Sequence, residues 1–71
     1  MDEFDWTDTE EIGIRLQETH PGLDPLTVRF TDLRDKVLAL TGFVGTVDRC
    51  GEKILEAIQM AWHEEHLDAA S

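Results

Sequence analysis

Residues 23–33 constrain the fold more than any other stretch, because helix start and stop signals are concentrated there. Asp24 stands before a proline, which is typical of a helix N-cap followed by the first helical residue. This pattern predicts a single helical turn over residues 25–27 and a short extended link over residues 28–30. Asp32 and the threonine before it can then cap the next helix. The stretch is therefore expected to set the angle between the helices on either side of it.

Three longer segments have the apolar spacing of amphipathic helices, over about residues 8–19, 32–41 and 52–66. The run Thr7-Asp8-Thr9-Glu10 has the pattern of a capping box at the start of the first helix. Gly42 suits the position just after the end of the second helix. Together with the single turn, these segments predict a mainly helical chain.

The expected fold is all-α, a small three-helix domain over residues 1–71, with residues 1–5 and 67–71 frayed, or with Phe4 tucked back onto the domain. Gly13 lies inside the first helix, where glycine costs roughly 1 kcal/mol, and it predicts the close approach of another element. One core should collect the apolar residues of the helices and their connections. The predicted core residues are Trp6, Ile12, Leu16, Leu23, Val28, Phe30, Leu33, Val37, Leu40, Phe43, Leu55, Ile58 and Trp62.

The charge of the chain is strongly negative and unevenly distributed. The net charge is −10, from 16 acidic and 6 basic residues. Residues 1–24 carry −7, residues 25–53 carry +1 and residues 54–71 carry −4. Such a surface repels nucleic acid and anionic lipid and attracts a basic partner or cations. No apolar run approaches the roughly 18 residues of a membrane span.

Signals for secretion and for enzymatic chemistry are missing from the sequence. The first eleven residues contain six acids, which is unlike a signal peptide. Cys50 is the single cysteine, so no internal disulfide can form, and this predicts a cytoplasmic protein. The sequence has no serine beside a histidine, no phosphate-binding loop and no dinucleotide fingerprint. Because Cys50 lies in a polar loop without a neighbouring base, it is read as an ordinary free thiol, and the protein is predicted not to be an enzyme.

Carboxylates at the start of the first helix are candidate binding groups. Asp8 and Glu11 are three residues apart and could meet the acids of residues 1–5. Clustered carboxylates suit hard cations such as iron or calcium, and they bind them weakly when exposed. The alternative is an exposed helix start whose acids compensate the helix dipole. Trp6 precedes these acids, and an exposed edge of its ring would add a hot spot for a protein partner.

Two histidines near the end of the third helix form a second candidate site. His63 and His66 are at i, i+3 spacing, which allows two imidazoles to share a metal. Two ligands at a fraying helix end make a weak site. An ordinary solvated helix end is the alternative interpretation.

Five short blocks have a content and a spacing that are specific to one family. They are Trp6-Thr7-Asp8, Glu11-Ile12-Gly13, Leu23-Asp24-Pro25, Thr27-Val28-Arg29-Phe30-Thr31-Asp32 and Glu52-Lys53-Ile54-Leu55-Glu56-Ala57-Ile58. Together these blocks resemble the IscX family, small acidic proteins of bacterial iron–sulphur cluster assembly. The resemblance extends from residue 6 to about residue 65.

The resemblance implies a modified winged-helix fold and a protein partner. Family members bind the cysteine desulfurase of the pathway on a basic surface near its active site, overlap the frataxin site and modulate the desulfurase. They also bind ferrous iron weakly through surface carboxylates. The positions that match the acidic face of the family are Asp8, Glu11, Asp24 and Asp32. Family members often carry a run of acids after the second helix, whereas residues 39–46 of this chain contain none, which weakens the case for iron.

Together with the negative charge, the resemblance thus implies a monomeric, non-enzymatic adaptor or regulator that binds cysteine desulfurase through an acidic surface. The expected partner-binding residues are Trp6, Asp8, Glu11, Asp24 and Asp32. The alternative is a weak carrier of Fe²⁺, held by Asp8 and Glu11, with no tightly bound cofactor. DNA binding, which the winged-helix resemblance alone would suggest, is opposed by the charge of −10.

Overall fold

The computed structural model describes residues 3–70 and confirms an all-α fold. Within these residues no strand forms, and the extended backbone pairs only through an isolated parallel bridge between Phe4 and Phe43. The winged-helix character stays a prediction. Residues 3–70 contain three α-helices, α1 (Thr9–Thr19), α2 (Phe30–Leu38) and α3 (Glu52–Ala70), and two single-turn 3₁₀ helices, Pro25–Thr27 and Val47–Arg49.

The single turn after α1 forms as predicted. The side chain of Asp24 accepts a hydrogen bond from the backbone N–H of Leu26 at 3.0 Å, and Pro25 at the first helical position is fully buried. Gln59 of α3 donates to the carbonyl of Pro25 at 3.0 Å, which fixes the turn against that helix. The stretch therefore positions the start of α2 relative to α3.

The predicted bounds of α2 were wrong at both ends. The helix begins at Phe30 rather than at Asp32, because the carbonyl of Arg29 already accepts the first helical hydrogen bond, from Leu33 at 2.8 Å. It ends at Leu38, so Gly42 is not its C′ residue. Gly42 instead has a φ of 90° in the following turn, a conformation that favours glycine.

Gly13 marks the close approach of two helices, as the sequence predicted. A Cβ atom at this position would lie 2.8 Å from the backbone carbonyl carbon of Ala61 and 2.9 Å from the backbone nitrogen of Trp62. The backbones of α1 and α3 therefore pack against each other with no room for a methyl group. Trp62 is fully buried beside this crossing, and its indole N–H donates to the side chain of Gln17 at 3.2 Å.

The segment before α1 is packed into the fold, in contrast to the expected frayed start. Met1 and Asp2 lie outside the described residues, but Phe4 is 4% exposed. Its backbone N–H donates to Gly42 at 3.1 Å, and its carbonyl accepts from Val44 at 2.9 Å. The ring of Phe43 packs edge-on against the rings of Phe4 and Trp6.

The core agrees with the prediction in most positions. Leu23, Phe30 and Phe43 are only partly buried, because they close the edges of the core instead of filling its centre. The buried apolar residues are Phe4, Trp6, Ile12, Leu16, Val28, Leu33, Val37, Leu40, Leu55, Ile58 and Trp62.

Helix α3 continues to Ala70, beyond the predicted end at residue 66.

Candidate functional site

The carboxylates before α1 are held by local hydrogen bonds. Asp5 accepts from the backbone N–H of Thr7 at 2.9 Å and from its hydroxyl at 2.6 Å. Asp8 in turn accepts from the backbone N–H of Asp5 at 3.0 Å. The capping-box prediction was wrong, because the Thr7 hydroxyl is bonded to Asp5 and the helix begins at Thr9 with Asp8 as its cap residue. The hydrogen bond from the Thr7 hydroxyl lowers the pKa of Asp5, which stabilises its charged form.

Glu11 at the start of α1 has a basic partner. Its carboxylate oxygen lies 2.7 Å from Nε of Arg15, one helical turn further on. The guanidinium carbon of Arg15 lies 5.1 Å from the centroid of the Phe4 ring. Glu11 is therefore part of a chain of contacts that extends from the surface to a core residue.

The crossing of α1 and α3 joins the two acid-rich ends of the sequence. One cleft is lined by Glu10 and Ile14 of α1 and by Ala61, Glu64 and Glu65 of α3. From the sequence alone, Glu64, Glu65 and Asp68 at the acidic end of α3 form an alternative docking surface, separate from the acids of α1. The structure places them beside the acids of α1 because the helices touch at Gly13.

A second, adjoining groove follows the start of α1 and shares Glu10 and Ile14 with the first cleft. The side chain of Ile14 is 38% exposed and lies where the two grooves meet. Five carboxylates therefore line two grooves to which the exposed Ile14 is common. We call this surface the acidic face, formed by Asp8, Glu10, Glu11, Glu64 and Glu65 around Ile14.

The other residues predicted to bind a partner lie elsewhere. Trp6 is 3% exposed, and its indole N–H donates to the carbonyl of Thr46 at 2.7 Å, so it is a core residue and not an exposed hot spot. Asp24 caps the 3₁₀ turn. Asp32 lines a different cleft, beside His20 and Lys36. Sequence reasoning missed Glu10 and Ile14 as site residues and kept Glu64 and Glu65 as a separate, alternative docking surface. The close approach predicted at Gly13 was a signal that another element packs against α1.

The candidate ligands for a metal are not gathered into a cluster. In residues 3–70, no group of three or more histidine, cysteine, aspartate or glutamate side chains is placed to hold an ion. His66 lies 3.3 Å from the side-chain oxygen of Gln17, whereas Nδ1 of His63 is buried without a hydrogen-bond partner. Burial raises the pKa of the Cys50 thiol, which disfavours the thiolate that a nucleophile requires.

The fold and the surface define a class, a small acidic helical domain whose prominent feature is a carboxylate-rich face. The chain belongs to the iron–sulphur cluster assembly family, the IscX family, whose sequence model matches residues 4–67. It is also similar to an uncharacterized protein of Pseudomonas aeruginosa, with 53% identity over 60 residues, which are 84% of this chain and 91% of the relative. No helix in the described part of the chain has both the length and the apolarity to cross a membrane.

Proposed function

We propose that the protein is a non-enzymatic adaptor that regulates iron–sulphur cluster assembly by docking its acidic face onto cysteine desulfurase. The observation that supports this proposal is the cleft between α1 and α3, which gathers Glu10, Glu64 and Glu65 around the exposed Ile14. A basic surface on the partner would complement these carboxylates. Membership of the iron–sulphur cluster assembly family supports the choice of pathway.

The two kinds of side chain on the acidic face would have different roles in docking. Carboxylates would steer the basic partner towards the face, which raises the association rate and suppresses wrong partners. Ile14 would supply an apolar contact that the partner covers, as apolar residues do at the centre of an interface. Trp6 would contribute only indirectly, without touching the partner. Its buried indole supports the segment that carries Asp5 and Asp8.

Binding to the purified cysteine desulfurase of the same organism tests the proposal directly. We expect a complex whose affinity falls as salt rises, because the Debye length shrinks from about 30 Å at 0.01 M to about 10 Å at 0.1 M. Bacterial frataxin should compete for the same surface, and the rate of alanine formation from cysteine should change when the complex forms. Absence of a complex at 0.01 M salt, measured by calorimetry, would refute the proposal.

Ferrous iron is the alternative cargo, and we expect the isolated protein to bind it weakly. Asp8 already accepts a hydrogen bond from Asp5, and Glu11 already pairs with Arg15. These two carboxylates therefore fit a loose, exposed site, and we expect a dissociation constant of about 10⁻⁴–10⁻³ M, the range of weak oxygen-ligand sites. Anaerobic calorimetry with Fe²⁺ measures it. A micromolar site would favour the carrier function and would require ligands from elsewhere, such as His63 and His66.

A further inference from the structure

We infer that Arg15 is an intramolecular competitor at the acidic face and thereby limits how tightly, and how selectively, a basic partner binds. The inference deepens the proposed function and rests on it. Arg15 is the only arginine or lysine in the first 28 residues of the chain, which carry eight acids. No other lysine or arginine in this part of the sequence can therefore pair with its acids.

The contact between Arg15 and Glu11 is short and direct. Nε of Arg15 lies 2.7 Å from Oε2 of Glu11, and the two side chains are 31% and 43% exposed. A charge-assisted hydrogen bond at this distance uses one lone-pair direction of the carboxylate. A lysine or arginine of a partner that approaches Glu11 has to displace Arg15 or accept its repulsion at close range.

The side chain of Arg15 is held in place from the core side. Its guanidinium lies 5.1 Å from the centroid of the Phe4 ring, a distance at which a cation and a π face attract. Phe4 is 4% exposed and fixed by two backbone hydrogen bonds, to Gly42 and Val44. Exposed ion pairs are usually weakened by the entropy of two free side chains. Here the packing on Phe4 removes part of that entropy, so Arg15 competes more effectively than a free surface arginine would.

The competition is unequal across the acidic face. Asp8 and Glu10 are exposed, and the hydrogen bond to Asp8 comes from a neutral backbone N–H group. Glu11 by contrast is paired with a full positive charge. Most of the binding free energy of a partner therefore comes from Asp8, Glu10 and the α3 acids. A contact with Glu11 contributes only the amount by which it is stronger than the Arg15–Glu11 contact that it replaces. This arrangement favours partners with several bases over partners with one.

Replacing Arg15 by glutamine tests the inference, with Arg34→Gln as the matched control. Both variants remove one positive charge, but Arg34 lies on α2 in a different groove, beside Phe30 and Cys50. At 0.01 M salt, Arg15→Gln should bind the desulfurase about fivefold more tightly, since two unit charges about 4 Å apart in water interact by about 1 kcal/mol. Arg34→Gln should bind within about twofold of wild type. Equal or weaker binding by Arg15→Gln would overturn the inference.

A double-mutant cycle separates competition from a general charge effect. Glu11→Gln should change the affinity by less than about twofold in the wild-type chain, because Arg15 already compensates Glu11. In the Arg15→Gln background the same change should weaken binding by about fivefold, because the carboxylate is then open to the partner. Equal effects of Glu11→Gln in the two backgrounds would show that Arg15 does not compete.

A basic peptide separates failure of the inference from failure of the proposed function. Hexalysine is the probe, and its affinity for wild type, Arg15→Gln and Arg34→Gln is measured at 0.01 M salt. If the desulfurase does not bind but hexalysine binds Arg15→Gln more tightly than the other two, the proposed partner is wrong and the competition stands. If hexalysine binds the three proteins with equal affinity, and the desulfurase also binds all three with equal affinity, the competition is rejected while the proposed function stands.

Discussion

Replacing Gly13 by alanine should destabilise the protein by about 1–3 kcal/mol, although alanine is the better helix former. The new methyl group would lie 2.8 Å from the carbonyl carbon of Ala61 and 2.9 Å from the nitrogen of Trp62. Both are backbone atoms, so the contact cannot be relieved by turning a side chain. Helices α1 and α3 would have to move apart and loosen the core in which Leu16 of α1 and Trp62 of α3 are fully buried.

Thermal unfolding measures this effect, because each kcal/mol shifts the melting temperature of a chain of this size by roughly 4–8 °C. Gly22→Ala is the matched control, since a Cβ atom there would have no heavy atom within 4 Å. We expect the control to melt within a few degrees of wild type. A Gly13→Ala protein as stable as the Gly22→Ala protein would mean that α1 and α3 are further apart than the structure shows.

Gly13 also illustrates which parts of the fold could be predicted from the sequence. A glycine that lowers helix propensity needs a reason, and in a helix with a clear apolar stripe the usual reason is the close approach of another backbone. The cap at Asp24 could be predicted for the same reason. Its side chain accepts a hydrogen bond from the backbone N–H of Leu26, only two residues further on. Signals of this kind depend on neighbours in sequence, so they remain valid before the tertiary structure is known.

The errors arose where distant residues decide the local structure. Phe4 pairs with the backbone of Gly42 and Val44, nearly forty residues away, and no periodicity in the first five residues predicts that contact. The same packing hides Trp6, because the carbonyl of Thr46 and the close backbone at Gly45 surround its indole. The predicted core included Trp6 and the structure confirms its burial; only the alternative of an exposed ring edge was wrong.

The acidic face was half predicted for a related reason. Asp8 and Glu11 share a helix, so their spacing alone indicates that they are neighbours. Glu64 and Glu65 join them only because α1 and α3 approach each other at Gly13 and Ala61, which places Glu64 and Glu65 in the same cleft as Glu10. A crossing angle depends on how two side-chain surfaces interlock, and this is not contained in the pattern of either helix.

Reversing the charge at two positions of the acidic face should weaken docking at least tenfold at low salt. The variant is Asp8→Lys with Glu11→Lys, which changes the local charge by four units. Bases of the desulfurase would then meet two lysines, and at residue 11 the new lysine would stand next to Arg15. Association should slow most, because long-range steering would turn into repulsion.

The double variant should remain folded, so the loss of binding can be assigned to the surface. The side chain of Asp8 makes no capping hydrogen bond to α1, and Glu11 is 43% exposed with an i, i+4 partner. The loss of helix-dipole compensation, of one exposed ion pair and of the hydrogen bond that Asp8 accepts from Asp5 amounts to about 1–3 kcal/mol. Circular dichroism should show the helical content of the wild type.

Two further charge reversals decide whether the whole acidic face takes part in docking. Glu64→Lys with Glu65→Lys should also weaken the complex at least tenfold, because these acids line the same cleft as Glu10. Asp35→Lys with Glu56→Lys alters the net charge by the same four units, but neither residue lines either groove of the acidic face. This control should retain most of the affinity. The three double variants change the net charge equally and differ only in where the charge is reversed. Equal weakening by all three would therefore indicate that docking depends on total charge and not on the acidic face.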